Sequence, residues 1–307
     1  MKNKRIYAVL GMLLIVNMIL PVSGTCLSEK ISRPLTSRGT LYVGGSGSGN
    51  YSTIQGAIND ANDGDTVFVY DDSSPYNENL IITKSIALLG ENKLTTVIHG
   101  DGYYYYEVIS AKGQNIVISD FTIQNAAIGV LCQINKSRIS NLIIDYTGCA
   151  IYLLKSSENT ISNNQITSCF EYCIYLYDHS TNNIIVNNSL PGPSTNGINL
   201  IGSCSNNRIE KNSIEDKTNG VVIQWSYFNV IRNNNFINNT EQAYFENSSF
   251  NLFFRNYWDD WVVKKPRPIE GIRYGYFLQN RRAWTTYDVR PAQEPYAIPT
   301  IDSNHIQ

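Results

Sequence analysis

The sequence predicts a single all-β domain, a right-handed single-stranded parallel β-helix with three short strands per coil and about 22–24 residues per coil. Three observations predict it. With Ile116, Ser137, Asn159, Asn183, Asn207, Asn229 and Asn251 taken as coil starts, successive starts lie 21, 22, 24, 24, 22 and 22 residues apart. Two residues after each start stands Ile118, Ile139, Ile161, Ile185, Ile209, Ile231 or Phe253, and seven residues after it Ile123, Ile144, Ile166, Leu190, Ile214, Phe236 or Trp258. A third apolar strand follows a small residue, as in Ala150-Ile151-Tyr152-Leu153, Cys173-Ile174-Tyr175-Leu176, Gly197-Ile198-Asn199-Leu200 and Gly220-Val221-Val222-Ile223. Each strand alternates inward and outward, and no coil buries its apolar face alone, so the coils must stack. A leucine-rich repeat has a similar period, but its leucine consensus is missing.

The elements follow in chain order. Lys2, Lys4 and Arg5 precede an apolar run from Ile6 to Leu20, broken only by Gly11 and Asn17, and Pro21, Val22, Ser23 and Gly24 close it. Residues 1–24 read as a secretory signal peptide cleaved near Gly24. The alternative is a retained anchor, the one case in which membrane contact is expected. Residues 25–39 read as a linker. Within an N-terminal cap at 51–65, Ser52 to Ala61 reads as a short helix with Ile54, Ala57, Ile58 and Ala61 as its apolar stripe and Ser52 or Thr53 as its cap. It should cover the open end of the core. Asn62-Asp63-Gly64-Asp65 then turns into a strand from Thr66 to Tyr70, and the β-helix domain as a whole runs over 40–258. Residues 259–307 form an aromatic tail expected to cover the last coil. Its Asp259, Asp260, Glu270, Lys264, Lys265, Arg267, Arg273, Arg281 and Arg282 fit either a solvated cap or a docking segment for a surface-protein partner.

Asn164, Asn188, Asn212, Asn234 and Asn256 each fall five residues after a coil start. Asparagine tolerates the left-handed conformation of a tight corner, and stacked amides can hydrogen-bond along the axis. The column is therefore expected to be structural. The six cysteines (Cys26, Cys132, Cys149, Cys169, Cys173 and Cys204) lack the spacing of a disulfide scaffold or zinc site and are expected mostly as buried small side chains. Cys149 and Cys173 stand near matching positions of adjacent coils, where a disulfide between them is open. A formal net charge of -2 argues against a nucleic-acid partner.

The stretches STIQGAINDANDGDTVFV and NLIITKSIALLGENKLTTVIHG, and repeats such as NTISNNQI, NRIEKNSI and NVIRNNNF, resemble the NosD-like, CASH-type β-helix family of the pectin-lyase-like fold. The ending NYWDDW, PRPIEG and YDVRPAQEPY resembles the close of archaeal cell-surface β-helix proteins. The resemblance spans roughly residues 40 to 297. It implies the fold, a secreted or cell-surface location and a polysaccharide or envelope-glycan ligand. It implies no one activity, because this fold carries lyases, hydrolases, epimerases, adhesins and binding proteins.

Lyases and hydrolases on this fold need carboxylates clustered on adjacent coils, with Ca²⁺ in the lyases. Asp145 and Glu215 share a column, but Thr167 and Pro191 stand between them, and Glu171 and Glu241 are isolated. No cofactor is evident, and Ca²⁺ enters only under an enzymatic reading. The NosD resemblance implies copper, but the three histidines His99, His179 and His305 are scattered and the three methionines offer no cluster. Asp178 and His179 are the catalytic candidates, with a superficial resemblance to the Asp and His of mannuronan epimerases; a solvated turn pair is the plain alternative. Tyr152, Tyr175 and Tyr177 should point outward on adjacent coils, with Trp225 and Tyr244 further along, as a stripe on which sugar rings stack. The competing expectation is that the tail folds back over that stripe. Five sequons, at Asn50, Asn135, Asn187, Asn238 and Asn247, are glycosylation candidates. The reading that results is an exported cell-surface β-helix without a catalytic role, binding carbohydrate or contributing to the envelope. The alternative is a polysaccharide lyase, hydrolase or epimerase.

Overall fold

The computed structural model describes residues 39–274 and 281–299. The expected signal segment 1–24, Cys26 and His305 lie outside the described residues. Every coil-to-coil strand pair of the solenoid is parallel, and the register follows the sequence period. Ile118, Ile139, Ile161, Ile185, Ile209, Ile231 and Phe253 form one column of the first sheet. Ile123, Ile144 and Ile166, then Leu190, Ile214, Phe236 and Trp258, line the second. Ile151, Ile174, Ile198, Val221 and Ala243 line the third, beside Leu153, Leu176, Leu200, Ile223 and Phe245. These side chains are buried in one continuous core. A buried aliphatic side chain stabilises by about 1.5–3 kcal/mol, so this axial core dominates over any surface pair.

Corners are built from two adjacent residues with separate roles. The left-handed residue is Asn163, Asn187, Lys211, Asn233 or Arg255, with φ between 55° and 56°. The residue after it is the ladder asparagine. This corrects the expectation that the column Asn164, Asn188, Asn212, Asn234 and Asn256 itself adopts the left-handed conformation. Those asparagines instead stack their amides: Asn164 N and Nδ2 both donate to Asn188 Oδ1, at 3.0 and 2.9 Å, and Asn188 repeats this on Asn212. Each Nδ2 also donates to a backbone carbonyl of the preceding coil, Asn188 to Ile161 O at 3.0 Å. The coil-start residues Asn159, Asn183, Asn207, Asn229 and Asn251 build a second such ladder. The ladders satisfy backbone groups that a tight buried corner would otherwise strand.

Both ends are closed by polar clamps as well as apolar cover. Helix α1, Ile54–Asp60, buries Ile54, Ala57 and Ile58 and is capped by Thr53, whose side chain accepts from Gly56 N. The Glu78 carboxylate accepts from Ile54 N and Gln55 N at 2.8 and 2.9 Å. Lys84 Nζ donates to Ile58 O, Asn59 O and Ala61 O at the other end. Opposite charges thus meet the two poles of the helix, where its N–H and C=O groups lack partners. At the far end Arg267–Tyr274 and Arg281–Asp288 form an antiparallel pair. The first strand continues the third sheet through Phe245 and Gly271, and the second meets the first sheet at Phe253 and Asp288. Pairing therefore runs past Trp258. The buried Asp288 carboxylate ends the asparagine ladder: Oδ2 accepts from Asn256 N, Asn256 Nδ2 and Trp258 Nε1 at 2.8, 3.0 and 3.1 Å.

The disulfide joins Cys169 to Cys173, not Cys149 to Cys173. A register shift after Thr147 sets Cys149 opposite Tyr172 and leaves Cys173 one place beyond it. Cys132, Cys149 and Cys204 are free and buried.

Candidate functional site

From Ile116 onward the repeat is longest in its two 24-residue coils; the coil before it, from Ile86, is longer still, with its register breaks between His99 and Glu107. In the coil from Ser137 a single left-handed residue, Lys155, leads into Ser156. In the next coil two do, Asp178 (φ 48°) and His179 (φ 64°), and in the one after that Gly202 (φ 79°) and Ser203 (φ 64°). Trp225 then restores a single one. The other added residue of each coil precedes the third strand, at the Cys169–Cys173 bridge in one and at the Pro191-Gly192-Pro193 turn in the other. The expansions therefore bracket matching positions of two paired strands, Tyr172 to Tyr177 in one coil and Asn196 to Ile201 in the next.

Between them stands a cluster of four tyrosines. Tyr152 and Tyr175 stack with centroids 4.9 Å apart, and Tyr172 and Tyr175 with centroids 4.7 Å apart. Tyr172 was not among the residues singled out from the sequence, because the bulge that brings it under Tyr175 has no period-2 signal. Since these three rings turn their faces to one another, they offer solvent ring edges and phenol groups. Tyr177 differs: it is tilted 39° and 55° to Tyr175 and Tyr152 and is 38% exposed. Burial raises the phenol pKa of Tyr152, Tyr172 and Tyr175, so these groups stay neutral donors and acceptors.

Asp178 and His179 border the cluster. Asp178 Oδ1 meets His179 Nδ1 at 2.6 Å and Oδ2 meets Lys155 Nζ at 3.2 Å. The hydrogen bonds from His179 and then Lys155 lower the Asp178 pKa, so the carboxylate is ionised and orients the ring. At the opposite end of the strand, a groove of about 750 Å³ is lined by Tyr146, Phe170, Thr195, Asp216, Lys217 and Asn238 among others. Lys217 is 2% exposed, donates to Pro191 O and Gly192 O, and has its pKa lowered to about 8 by burial.

The remaining sequence candidates are dispersed. Tyr244 lies three rungs beyond Tyr175, with Asn199 and Val222 between, and feels Tyr274 and Arg281 of the tail. Trp225 sits at a corner, not on the strand face. Among the described residues the tail does not fold over the tyrosines: its hydrogen bonds and strand pairs fall on the last coils and, through Tyr296 and Asn235, on the second sheet. Among the sequons, Asn135 and Asn238 are exposed, Asn187 is half-buried, Asn50 Nδ2 donates to Gly44 O and Asn247 Nδ2 is buried. Among the described residues no group of three or more His, Cys, Asp or Glu side chains is arranged to hold a metal ion, and no helix is long and apolar enough to cross a membrane.

Several solved structures share the architecture. The A-module of the Azotobacter vinelandii mannuronan C-5 epimerase AlgE6 is 15% identical, with 66% of this chain and 71% of that chain covered and a TM-score of 0.48. The catalytic domain of a GH87 alpha-1,3-glucanase is 12% identical, covering 78% and 56%, with a TM-score of 0.46. The Aspergillus niger pectin methylesterase is 15% identical, covering 71% and 86%, with a TM-score of 0.43. At these identities the likeness concerns the fold alone. No curated protein sequence matches the chain. Residues 58–271 match the family model described as the periplasmic copper-binding protein NosD, and the chain belongs to that family.

Proposed function

We propose that this protein is an extracytoplasmic glycan-binding β-helix whose recognition surface is the third-strand face of its two enlarged coils. One observation carries the reading: in each of those coils the added residues fall at the two ends of its third strand, Cys169–Tyr177 with Tyr172, Tyr175 and Tyr177 in one and the neighbouring Ser194–Ile201 in the other. Tyr177 offers an aromatic face to a sugar ring, while the phenols of Tyr152, Tyr172 and Tyr175 and the Asp178 carboxylate supply the hydrogen bonds that hydroxyl groups need. The family's periplasmic description supports the location. The test is a screen of the purified protein against acidic and neutral polysaccharides, with and without Ca²⁺. It records binding and also new unsaturated or reducing ends. Binding that is lost in Tyr177→Ala supports the reading, and binding indifferent to Tyr177→Ala and Tyr175→Phe overturns it.

A second reading is catalytic. Asp178 holds His179 Nδ1 and leaves Nε2 outward, the arrangement in which a carboxylate orients a general base. Both residues are held left-handed, a conformation that costs energy and clusters at functional sites. Turnover abolished by Asp178→Asn and His179→Ala supports it; turnover that survives both removes the assignment. An envelope-structural role predicts neither binding nor turnover.

The family name includes copper, and the described donors do not fit it. His179 Nδ1 is engaged by Asp178, and the three free thiols among the described residues are buried with raised pKa values, Cys132 to about 12 and Cys204 to about 11. A copper site needs soft or imidazole ligands converging on one point, and the described residues provide none.

A further inference from the structure

One column of corner residues changes character at the C-terminal end. Its left-handed positions are Asn115, Lys136, Glu158, Asn182 and Asn206, and then Phe228 (φ 58°) and Phe250 (φ 59°). A bulky side chain at positive φ is an outlier, and the two phenylalanines gain no burial in return: they are 55% and 67% exposed. Their rings stack with centroids 5.1 Å apart and planes 5° apart. Strain at an exposed apolar pair points to a contact made outside the chain.

The surroundings indicate what is contacted. Ser249, beside Phe250, accepts a hydrogen bond from Arg273, whose guanidinium lies 3.9 Å from the centroid of the exposed Trp284. Arg282 stands opposite Arg273, and Arg281 opposite Tyr274. Among the described residues no carboxylate lies within ion-pair distance of Arg273, Arg281 or Arg282. The charge is polarised along the axis: residues 39–251 hold ten Lys and Arg against nineteen Asp and Glu, and residues 252–299 hold eight against five. Unlike the tyrosine cluster, Phe228 and Phe250 carry no hydroxyl, and each spends one face on the other, so the pair suits an apolar medium better than a sugar.

We infer that this corner, Phe228 and Phe250 with Trp284 and Arg273, Arg281 and Arg282, docks the C-terminal end of the solenoid onto an anionic phospholipid surface. The rings enter the headgroup–acyl boundary, and the three guanidinium groups, none of them in an ion pair among the described residues, meet lipid phosphates in the forked geometry arginine prefers. The inference is independent of the glycan-binding reading.

The full chain is mixed with vesicles of brominated phosphatidylglycerol or brominated phosphatidylcholine, and tryptophan fluorescence is followed. Quenching is expected with phosphatidylglycerol, weakened by high salt and by the Arg273→Gln, Arg281→Gln and Arg282→Gln triple variant, and diminished in Trp284→Phe. The Phe228→Asn, Phe250→Asn double variant restores the residue type of the column, so it folds at least as well as the parent, and it loses the quenching. Absence of quenching in the parent, quenching that persists in the double variant, or self-association of the protein through this corner in place of lipid binding each overturns the inference.

Discussion

Replacing Asp288 by alanine tests how the solenoid is closed. The carboxylate is fully buried and accepts five hydrogen bonds, three at Oδ2 from Asn256 N, Asn256 Nδ2 and Trp258 Nε1, and two at Oδ1 from Arg255 N and Arg290 N at 3.0 and 3.2 Å. The two Asn256 bonds reproduce what each earlier ladder asparagine gives its successor, so Asp288 stands where the next coil's amide oxygen would be. Asn256 and Trp258 are themselves buried, and alanine leaves Asn256 N and Trp258 Nε1 without partners and Asn256 Nδ2 with Ile231 O alone. At about 1–3 kcal/mol for each stranded donor, partly relieved by water at a chain end, the loss should be about 3–5 kcal/mol. Asp288→Asn keeps one acceptor oxygen for the ladder but turns an NH₂ toward Arg255 N and Arg290 N, and should cost about 1–2 kcal/mol. Because a solenoid loosens from its ends, equilibrium denaturation should be paired with hydrogen exchange. The exchange should rise at residues 252–258 and 267–274 and not at 116–166. Asp288→Ala within about 0.5 kcal/mol of the parent, the range of neutral surface changes, would refute the ladder-cap account.

Other expectations follow from the same geometry. Asn188→Ala removes the acceptor of Asn164 N and Nδ2 and the donor to Ile161 O in mid-column, and should destabilise by about 3 kcal/mol or more in chemical denaturation. Lys217 has a folded pKa of about 8 against 10.5 unfolded. Below pH 8 it is charged in both states, and between those values only the unfolded state keeps the proton. Stability relative to Lys217→Met should therefore rise with pH across that window, by up to about 3 kcal/mol. Raised tyrosine pKa values act oppositely above pH 10 but are common to both proteins, so the difference curve isolates the lysine. Alkylation of the native protein should spare Cys132, Cys149 and Cys204, and denaturation should expose all three to the reagent, as intact mass would report.

The core was legible because each inward side chain repeats at a fixed offset and is hydrophobic for one reason, burial. Ile118 through Phe253 fall in one column as the spacing required. The asparagine ladder was legible as a column but not in its mechanics, since sequence does not separate the left-handed residue from the amide that follows it. Lys211 and Arg255 occupy the left-handed place where asparagine would be expected. The polar clamps at the ends, Glu78 and Lys84 on α1 and Asp288 on the last rung, depend on single long-range contacts and have no period. The same holds for the disulfide, which a one-residue bulge moved from Cys149 to Cys169. At the candidate site, Tyr152, Tyr175 and Tyr177 followed from strand alternation, whereas Tyr172 required the bulge. The difference between 22- and 24-residue coils was visible in the spacing. Only the structure located the added residues, at the two ends of the third strand in each of the two coils.

The central claim is that glycan recognition occurs on the third-strand face of the enlarged coils. Hydrogen–deuterium exchange with and without a polysaccharide that binds in the screen tests it most directly. The account predicts protection concentrated in residues 169–179 and 194–203, with none gained along the first sheet. Protection confined to the first sheet or to the C-terminal hairpin, or a screen in which no polysaccharide binds, would contradict it.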